Sequence, residues 1–339
     1  MQHYPMLGLD VAKKTVQVCL LEASGVHRSV SIANSETGFR KLEAWLAPYR
    51  LDTVTVCLEA TNVYGAAVSL FCYEREATVY MMNPLQVASY MRLELRRVKT
   101  DKTDAEAIAQ CGLALVHRIQ PWKPLPEYYQ ELRDLVRHLY DLTRSRARVK
   151  NQMEKARYLT SAATPVLRRA LRSELAFYTK AIETLHTEIA ACIERHEELR
   201  QRYERLRSAP GIGPVSALTL MAEVPDIRRF ASPKQLAAFA GLTPRIRHSG
   251  ERQPLSQPIS KIGSARLRRV LYMAALSAKR SNPHLREFAQ RLQLRHAKKP
   301  KVVSIAVARK LLHLAYALDK HQNHFNPNYQ KIHLVPGTV

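Results

Sequence analysis

Five short runs of β-branched and apolar residues occupy the first eighty-two positions, and the spacers between them restrict what the chain can build. Residues 6–11, 15–21 and 26–33 are parted by only three or four residues, whereas 53–58 and 78–82 each follow a segment with helical spacing. Strands joined by tight turns pair antiparallel, and strands joined through a helix run parallel. Ser35-Glu36 opens the first helix, with Phe39, Leu42, Trp45 and Leu46 on its apolar face. A second helix is expected over 63–73, and Asn83-Pro84 stops the fifth strand and starts a third helix. The expectation is an α/β domain over residues 1–120.

Charge separates this region from the rest. The 339 residues hold 53 Lys and Arg against 29 Asp and Glu, a formal net charge of +24. Residues 1–90 carry 7 basic and 8 acidic side chains, so residues 91–339 carry 46 and 21, and the last 89 alone carry 17 and 3. A near-neutral module therefore precedes a polycation, the electrostatic footprint of a nucleic-acid binder. The basic segments are interrupted by Pro and Gly and show no single lipid-facing stripe, which argues against a membrane surface. A chain that is 46% hydrophobic, with 11 Gly and 18 Pro, can bury real cores, and disorder is excluded. No apolar run reaches the roughly 18 residues of a membrane span, and the N-terminus lacks a signal-peptide pattern, so the protein is expected in the compartment where it is made. Five scattered cysteines (Cys19, Cys57, Cys72, Cys111, Cys192), none in a CxxC spacing, read as reduced core residues.

Beyond a stiff linker at 121–126 (PWKPLP) the period changes. Leu132, Leu135, Leu139 and Leu142 follow 3,4 spacing, as do Leu175, Tyr178, Ile182, Leu185, Ile189, Cys192, His196, Leu199, Tyr203 and Leu206 without a break. Residues 127–207 are expected to form a coiled coil, its two arms folding back on each other around Pro165 or pairing with a second chain. A mainly helical part follows over 208–325, with a tail at 326–339. Ser232-Pro233 caps a short helix that Gly241 closes, residues 242–260 read as an irregular loop, and helices resume at 264–281 and 302–320.

The succession of three strands, helix, strand, helix, strand, helix is that of the ribonuclease H-like nuclease fold, in which the fourth strand lies beside the first. Asp10 then sits within the first strand and Glu59 ends its neighbour, two carboxylates in apolar strands where an unpaired charge is costly. Asp101 and Asp104 stand three apart at the start of a helix whose inner face continues through Ile108, Cys111 and Leu115. Alone, Asp101 would read as a helix cap; together the four read as a site for Mg²⁺ or Mn²⁺, hard cations that phosphodiester chemistry uses to stabilise developing charge. Arg92, Arg96, Arg97, Lys99 and Lys102 run into this site and suit a phosphate backbone. The turn Pro210-Gly211-Ile212-Gly213 is similar to a helix-hairpin-helix, whose backbone N–H groups face a phosphate. Arg245, Arg247, Lys261, Arg266, Arg268 and Arg269 bracket Ser249-Gly250. A serine there can act as a nucleophile if cations hold the phosphate, although Ser256, Ser260 and Ser264 are equally eligible on chemistry alone.

Several of these segments together resemble one family. Gly8-Leu-Asp10, Glu59-Ala-Thr61 with Tyr64, Asn83-Pro84, Lys99-Thr-Asp101-x-x-Asp104-Ala105, Pro210-Gly-Ile-Gly213, Phe239-Ala-Gly-Leu-Thr-Pro244, Ser249-Gly250, and Ser260-Lys261-x-Gly263 with Leu267-Arg-Arg269-x-Leu271-Tyr272 resemble the transposases of insertion-sequence family one-ten, with its eleven-eleven subgroup. That family is related to Piv-type DNA invertases and to bridge-RNA-guided recombinases. The resemblance implies a RuvC-like domain whose metal-binding tetrad is Asp10, Glu59, Asp101 and Asp104, a coiled coil, and a C-terminal transposase domain whose Ser249 forms a covalent phosphoserine with DNA. It further implies a donor element and a target as DNA partners, a structured non-coding RNA, a homo-oligomer of two or four chains, and a bacterial, cytoplasmic, nucleoid-associated setting. The chain departs from the pattern at Asn62, where Gly is usual, and over 251–259. Two other readings stay open: a junction nuclease in which water attacks, and a non-catalytic nucleic-acid-binding protein.

Overall fold

A computed structural model describes residues 5–25, 27–60, 63–93, 101–245, 258–297 and 299–328, with the side chains of Asp101 and Lys102 outside the description. The chain divides into two compact units, 1–124 and 125–339. The first is built on strands β1 (Met6–Val11), β2 (Thr15–Leu21) and β3 (His27–Ala33), helix α1 (Glu36–Trp45), β4 (Thr55–Glu59), α2 (Gly65–Glu74), β5 (Thr78–Met82), α3 (Pro84–Leu93) and α4 (Asp101–Leu115). The expected caps are present: Ser35 Oγ accepts from Gly38 N at 3.3 Å, and Asn83 Oδ1 accepts from Leu85 N at 2.9 Å. The fourth strand begins later than the apolar pattern suggests, because Leu51–Thr53 forms a single 3₁₀ turn before it.

The sheet order is β3-β2-β1-β4-β5, with β2 antiparallel to β1 and β3, and β4 parallel to both β1 and β5. This mixed α/β arrangement is consistent with a ribonuclease H-like transposase domain. Strand alternation divides the sheet into two buried faces. Leu7, Leu9, Val56 and Leu58 pack with Phe39, Leu42, Val68 and Phe71 of α1 and α2. Met6, Cys57, Tyr80 and Met82 pack with Val87 of α3 and Ala105, Ile108, Ala109 and Cys111 of α4. All five cysteines are free and buried, and burial pushes the Cys111 thiol up to about 11 and the Cys72 thiol up to about 12, as expected for protonated core residues.

The contact that places α4 is made by glycine. A Cβ on Gly8 would lie 2.1 Å from Ala105 O and 2.6 Å from Ala109 N, so the helix rests on the backbone of β1. Farther along, a Cβ on Gly112 would lie 2.4 Å from Cys57 Sγ and 3.4 Å from Met6 Sδ. Moving from Ala105 to Gly112 along the helix thus moves from Gly8 back to Met6 along the strand. The helix runs antiparallel to β1, and its N-terminus is directed to the end of the strand that carries Asp10.

The second unit comprises α5 (Glu127–Ala156), α6 (Thr164–Arg195), α7 (Glu197–Arg207), α8 (Pro214–Glu223), α9 (Pro233–Phe239), α10 (Ala265–Ser281), α11 (Pro283–Arg295) and α12 (Pro300–Lys320). The arms fold back within the chain: Arg168 Nε donates to Ala156 O at 3.0 Å at one end, and the rings of Tyr128 and His196 stack at 4.7 Å at the other. Ile182, Ile189 and Cys192 are buried in this pairing. The heptad pattern is not one helix, however. His196 is extended (φ −127°, ψ 106°), ends α6 and caps α7, so Leu199 and Leu206 serve a different helix from Ile189. One continuous core runs from Tyr129 to Leu318, so the expected segments 127–207 and 208–325 pack as parts of the same unit. The sequence reading also passes over α11, although Asn282-Pro283 announces it: Asn282 Oδ1 accepts from Leu285 N at 3.2 Å.

A buried arginine ties this unit together. Arg202 of α7 donates to Asp319 Oδ2 on α12 at 2.8 Å, to Tyr129 Oη on α5 at 3.1 Å, and to Pro225 O and Val224 O after α8 at 2.6 Å each. Burying both charges is tolerable because their hydrogen-bonding capacity is used.

Two outcomes follow. Gly8→Ala should lose about 2–3 kcal/mol, since overpacking against backbone has no side chain to move aside; an unchanged urea midpoint would refute the close approach. Asp319→Ala should lose about 3–5 kcal/mol by leaving the guanidinium buried and unpaired, and the double variant Arg202→Met/Asp319→Leu should recover much of the loss. A double variant no more stable than the single one would show that the charges do more than satisfy each other.

Candidate functional site

Along β1 the side chains of Met6, Gly8 and Asp10 share one face, and along β4 those of Thr55, Cys57 and Glu59 share the same face, because Gly8 lies opposite Cys57 in the parallel register. Asp10 and Glu59 therefore stand at the same ends of adjacent strands, on the side covered by α4. Both are half-buried, as is Asp104 in the first turn of α4. Acidic groups at a helix N-terminus are favoured by the macrodipole, which reduces the cost of gathering like charges.

The strand ends are braced by a residue that the sequence does not single out. Asn34 Nδ2 donates to Ala12 O, just beyond β1, at 3.0 Å, and to Tyr64 O, just before α2, at 3.1 Å. One side-chain amide thus fixes both segments that leave the carboxylates. Ala60 N extends the ladder past Glu59 by donating to Met82 O at 2.9 Å.

Every donor in the expected tetrad is a carboxylate oxygen, the chemistry that Mg²⁺ and Mn²⁺ prefer. Among the described residues no group of three His, Cys, Asp or Glu side chains could hold a metal ion by itself. The Asp101 side chain, the fourth expected ligand, lies outside the described residues, as do Arg96, Arg97, Lys99 and the side chain of Lys102.

In the second unit, the 210–213 turn divides its duties. Gly211 has φ +102°, and a Cβ there would lie 2.4 Å from the Cβ of Ala278 on α10, so this glycine permits both the turn and its contact. Ile212 is buried. Gly213, the N-cap of α8, is exposed, with nothing within 4 Å of a Cβ placed on it.

The expected irregular loop has a defined base. Pro244 and Ile259 form an antiparallel bridge, with Arg245 N donating to Pro258 O at 2.8 Å and Ser260 N to Thr243 O at 2.7 Å. Gly241 and Gly263, at φ +67° and +120°, allow the two sides to close on each other. Lys261 is held at φ +57° between them. Arg268 Nη1 donates to Ala240 O at 3.2 Å. Arg247 and Ser249 belong to 246–257, outside the described residues. Of the other serines, Ser264 Oγ accepts from Leu267 N as the cap of α10 at 3.2 Å and donates to Glu223 Oε2 at 3.0 Å. Glu223, nearly buried at 7% side-chain exposure, also pairs with Arg137 of α5 at 3.0 Å. The sequence singles out Ser264 but neither Glu223 nor Arg137, which come from two other helices.

Among the described residues, no helix is long and apolar enough to cross a membrane.

Comparison with known proteins agrees with this arrangement. The chain is 28% identical over 323 residues to the pilin gene-inverting protein of Moraxella bovis, covering 94% of this chain and 97% of that protein. It is 27% identical over 303 residues to the transposase for insertion sequence element IS1111A of Coxiella burnetii (81% and 78% of the two chains) and 27% identical over 351 residues to a probable family 20 transposase of Pseudomonas aeruginosa (95% and 98%). Residues 7–161, which contain the carboxylates, match a family of DEDD transposases of IS110 described as "Transposase", and residues 203–290, which contain the glycine turn and the serine loop, match one described as "Transposase IS116/IS110/IS902 family". Carrying both domains in this order, the chain belongs to the IS110/IS116/IS902 family of transposases.

Proposed function

We propose that the protein cuts and rejoins DNA, exchanging strands between an insertion sequence and its target, with a RuvC-like carboxylate site and a serine nucleophile. The observation that supports this most is the convergence of Asp10, Glu59 and the N-terminus of α4 at one end of the sheet, enforced by Gly8. In this reading Asp101 and Asp104 complete a tetrad with Asp10 and Glu59. Mg²⁺ or Mn²⁺ bound there would stabilise the charge that develops on a scissile phosphate. Ser249 attacks the phosphorus: the Oγ–P bond forms as one sugar–oxygen bond to phosphorus breaks, the serine loses its proton, and the departing sugar oxygen gains one. Arg245, Arg247 and Arg269 hold the phosphate oxygens, while Lys261, Arg268 and Gly213, with Arg96, Arg97, Lys99 and Lys102, contact nucleic-acid backbone.

The relatives' printed names, a pilin gene-inverting protein and insertion-sequence transposases, support DNA as the substrate. The resemblance of the chain's motifs to RNA-guided recombinases supports a structured non-coding RNA as the partner that selects the sites. A homo-oligomer of two or four copies accounts for the apolar side chains left exposed toward the far end of the α5–α6 pair, among them Tyr158, Val166 and Phe177.

Denaturing electrophoresis after incubation with DNA carrying the element's ends and Mg²⁺ tests the chemistry. A protein–DNA adduct is expected from the native chain and none from Ser249→Ala. Asp10→Asn or Asp104→Asn should reduce adduct formation by about 100-fold or more, the scale on which losing charge stabilisation at a reacting centre is felt. Nicked DNA without an adduct would replace this reading with attack by water. An independent readout needs no turnover: without metal, Asp10→Asn should raise the melting temperature by removing like-charge repulsion, and Mg²⁺ should raise it further only in the native chain. Equal Mg²⁺ responses in both proteins would sink the tetrad.

A further inference from the structure

Read along the chain, the basic residues near Ser249 form one run, but the fold joins part of that run to arginines of a different helix. Tyr140 of α5 is half-buried, and three guanidinium groups stand around its ring: Arg144 at 5.9 Å, Arg266 at 5.5 Å and Arg269 at 5.9 Å from the centroid. Arg144 lies one turn beyond Tyr140 on α5, and the other two come from the first two turns of α10. Earlier on the same face of α5, Arg137 pairs with Glu223, and Arg133 donates to Ala222 O at 3.4 Å. Burial, together with the nearby Arg137, pushes the Arg133 guanidinium below its ordinary range. Asp141 stands 3.8 Å from Arg266, yet the arginines outnumber the carboxylates beside them. Arg266 Nε is buried and has no hydrogen-bond partner among the described residues. Arg144 and Arg269 are exposed.

Gathering like charges around one ring is unfavourable unless an anion joins them, and guanidinium forks match phosphate geometry. The ring itself sits beneath the guanidiniums, so the patch offers no open aromatic platform of the kind that holds splayed, single-stranded bases. It carries donors for backbone oxygens and nothing arranged to read base edges.

We propose that the face formed by Arg137, Tyr140 and Arg144 of α5 with Arg266 and Arg269 of α10 grips the phosphodiester backbone of duplex DNA. The tyrosine is a spacer that holds the guanidiniums apart and aimed outward. The contact is sequence-independent and fixes the position of the duplex on the second unit. It rests on the reading that this transposase acts on DNA, and it extends the basic surface from Arg269 onto α5, in a different unit from the carboxylates.

The test is fluorescence anisotropy of full-length protein on a duplex oligonucleotide and, separately, on a structured RNA, each across a salt series. Arg144→Gln should reduce the slope of log affinity against log salt on duplex DNA by about 0.9, and Arg144→Gln/Arg266→Gln by roughly 1.8, one released-counterion increment per phosphate contact. Affinity for the RNA should not change. Because Arg144 is exposed, the single variant keeps the fold and decides the matter if the double variant melts early. A duplex slope unchanged in Arg144→Gln, or a loss confined to RNA, would overturn the proposal. If the slope falls but no covalent adduct is ever formed, only the recombinase chemistry fails; if the adduct forms with an unchanged slope, only this surface does.

Discussion

The backbone-to-backbone contact between Gly8 of β1 and α4 is the constraint on which the first unit depends. No side chain fits at this crossing: the peptide groups of Ala105 and Ala109 in the helix lie directly on Gly8 of the strand. Gly112 repeats the device one strand over, against Cys57. These contacts set the axis and the direction of α4. They thereby decide that its acidic first turn arrives at the strand ends bearing Asp10 and Glu59 and not at the opposite edge of the sheet. Beneath the strand ends, Met6, Cys57, Ile108 and Cys111 pack into the same buried cluster and hold α4 to the sheet.

The second unit solves a different problem, holding long helices and an irregular loop in one body. Its fixed point is Arg202, whose five donors are spread over α5, the segment after α8, and α12. Around that point the glycines act locally. Gly211 lets the turn before α8 press on Ala278, and Gly241 and Gly263 let the base of the 246–257 segment close to a single bridge between Pro244 and Ile259. Glu223 extends the same logic by tying the cap of α10 to Arg137 of α5, so the helix that follows the loop is registered against the helix that shares its basic face.

Charge follows architecture. The α/β unit is near neutral over residues 1–90, and most of the basic excess falls on the helical unit, where guanidiniums from α5 and α10 meet around Tyr140.

The sequence by itself determined the elements of the first unit and the strand positions of Asp10 and Glu59. Short spacers forced β1, β2 and β3 into an antiparallel meander, helical spacers forced β4 and β5 parallel, and alternation within the strands put Asp10 and Glu59 on a common face, because these are local consequences of period and turn length. The helix starts at Ser35, Asn83 and Ser232 were legible for the same reason. What depended on residues distant in the chain was not. The break at His196 interrupts a heptad pattern that looks continuous, because the ring stacks on Tyr128, some seventy residues earlier. Asn34 as a brace, Gly211 as a packing residue, the Arg202–Asp319 clip and the arginines around Tyr140 all join partners from separate elements. Composition and period carry no information about which helix faces which; only the packed structure decides that, because it is settled by the shapes that fill the core.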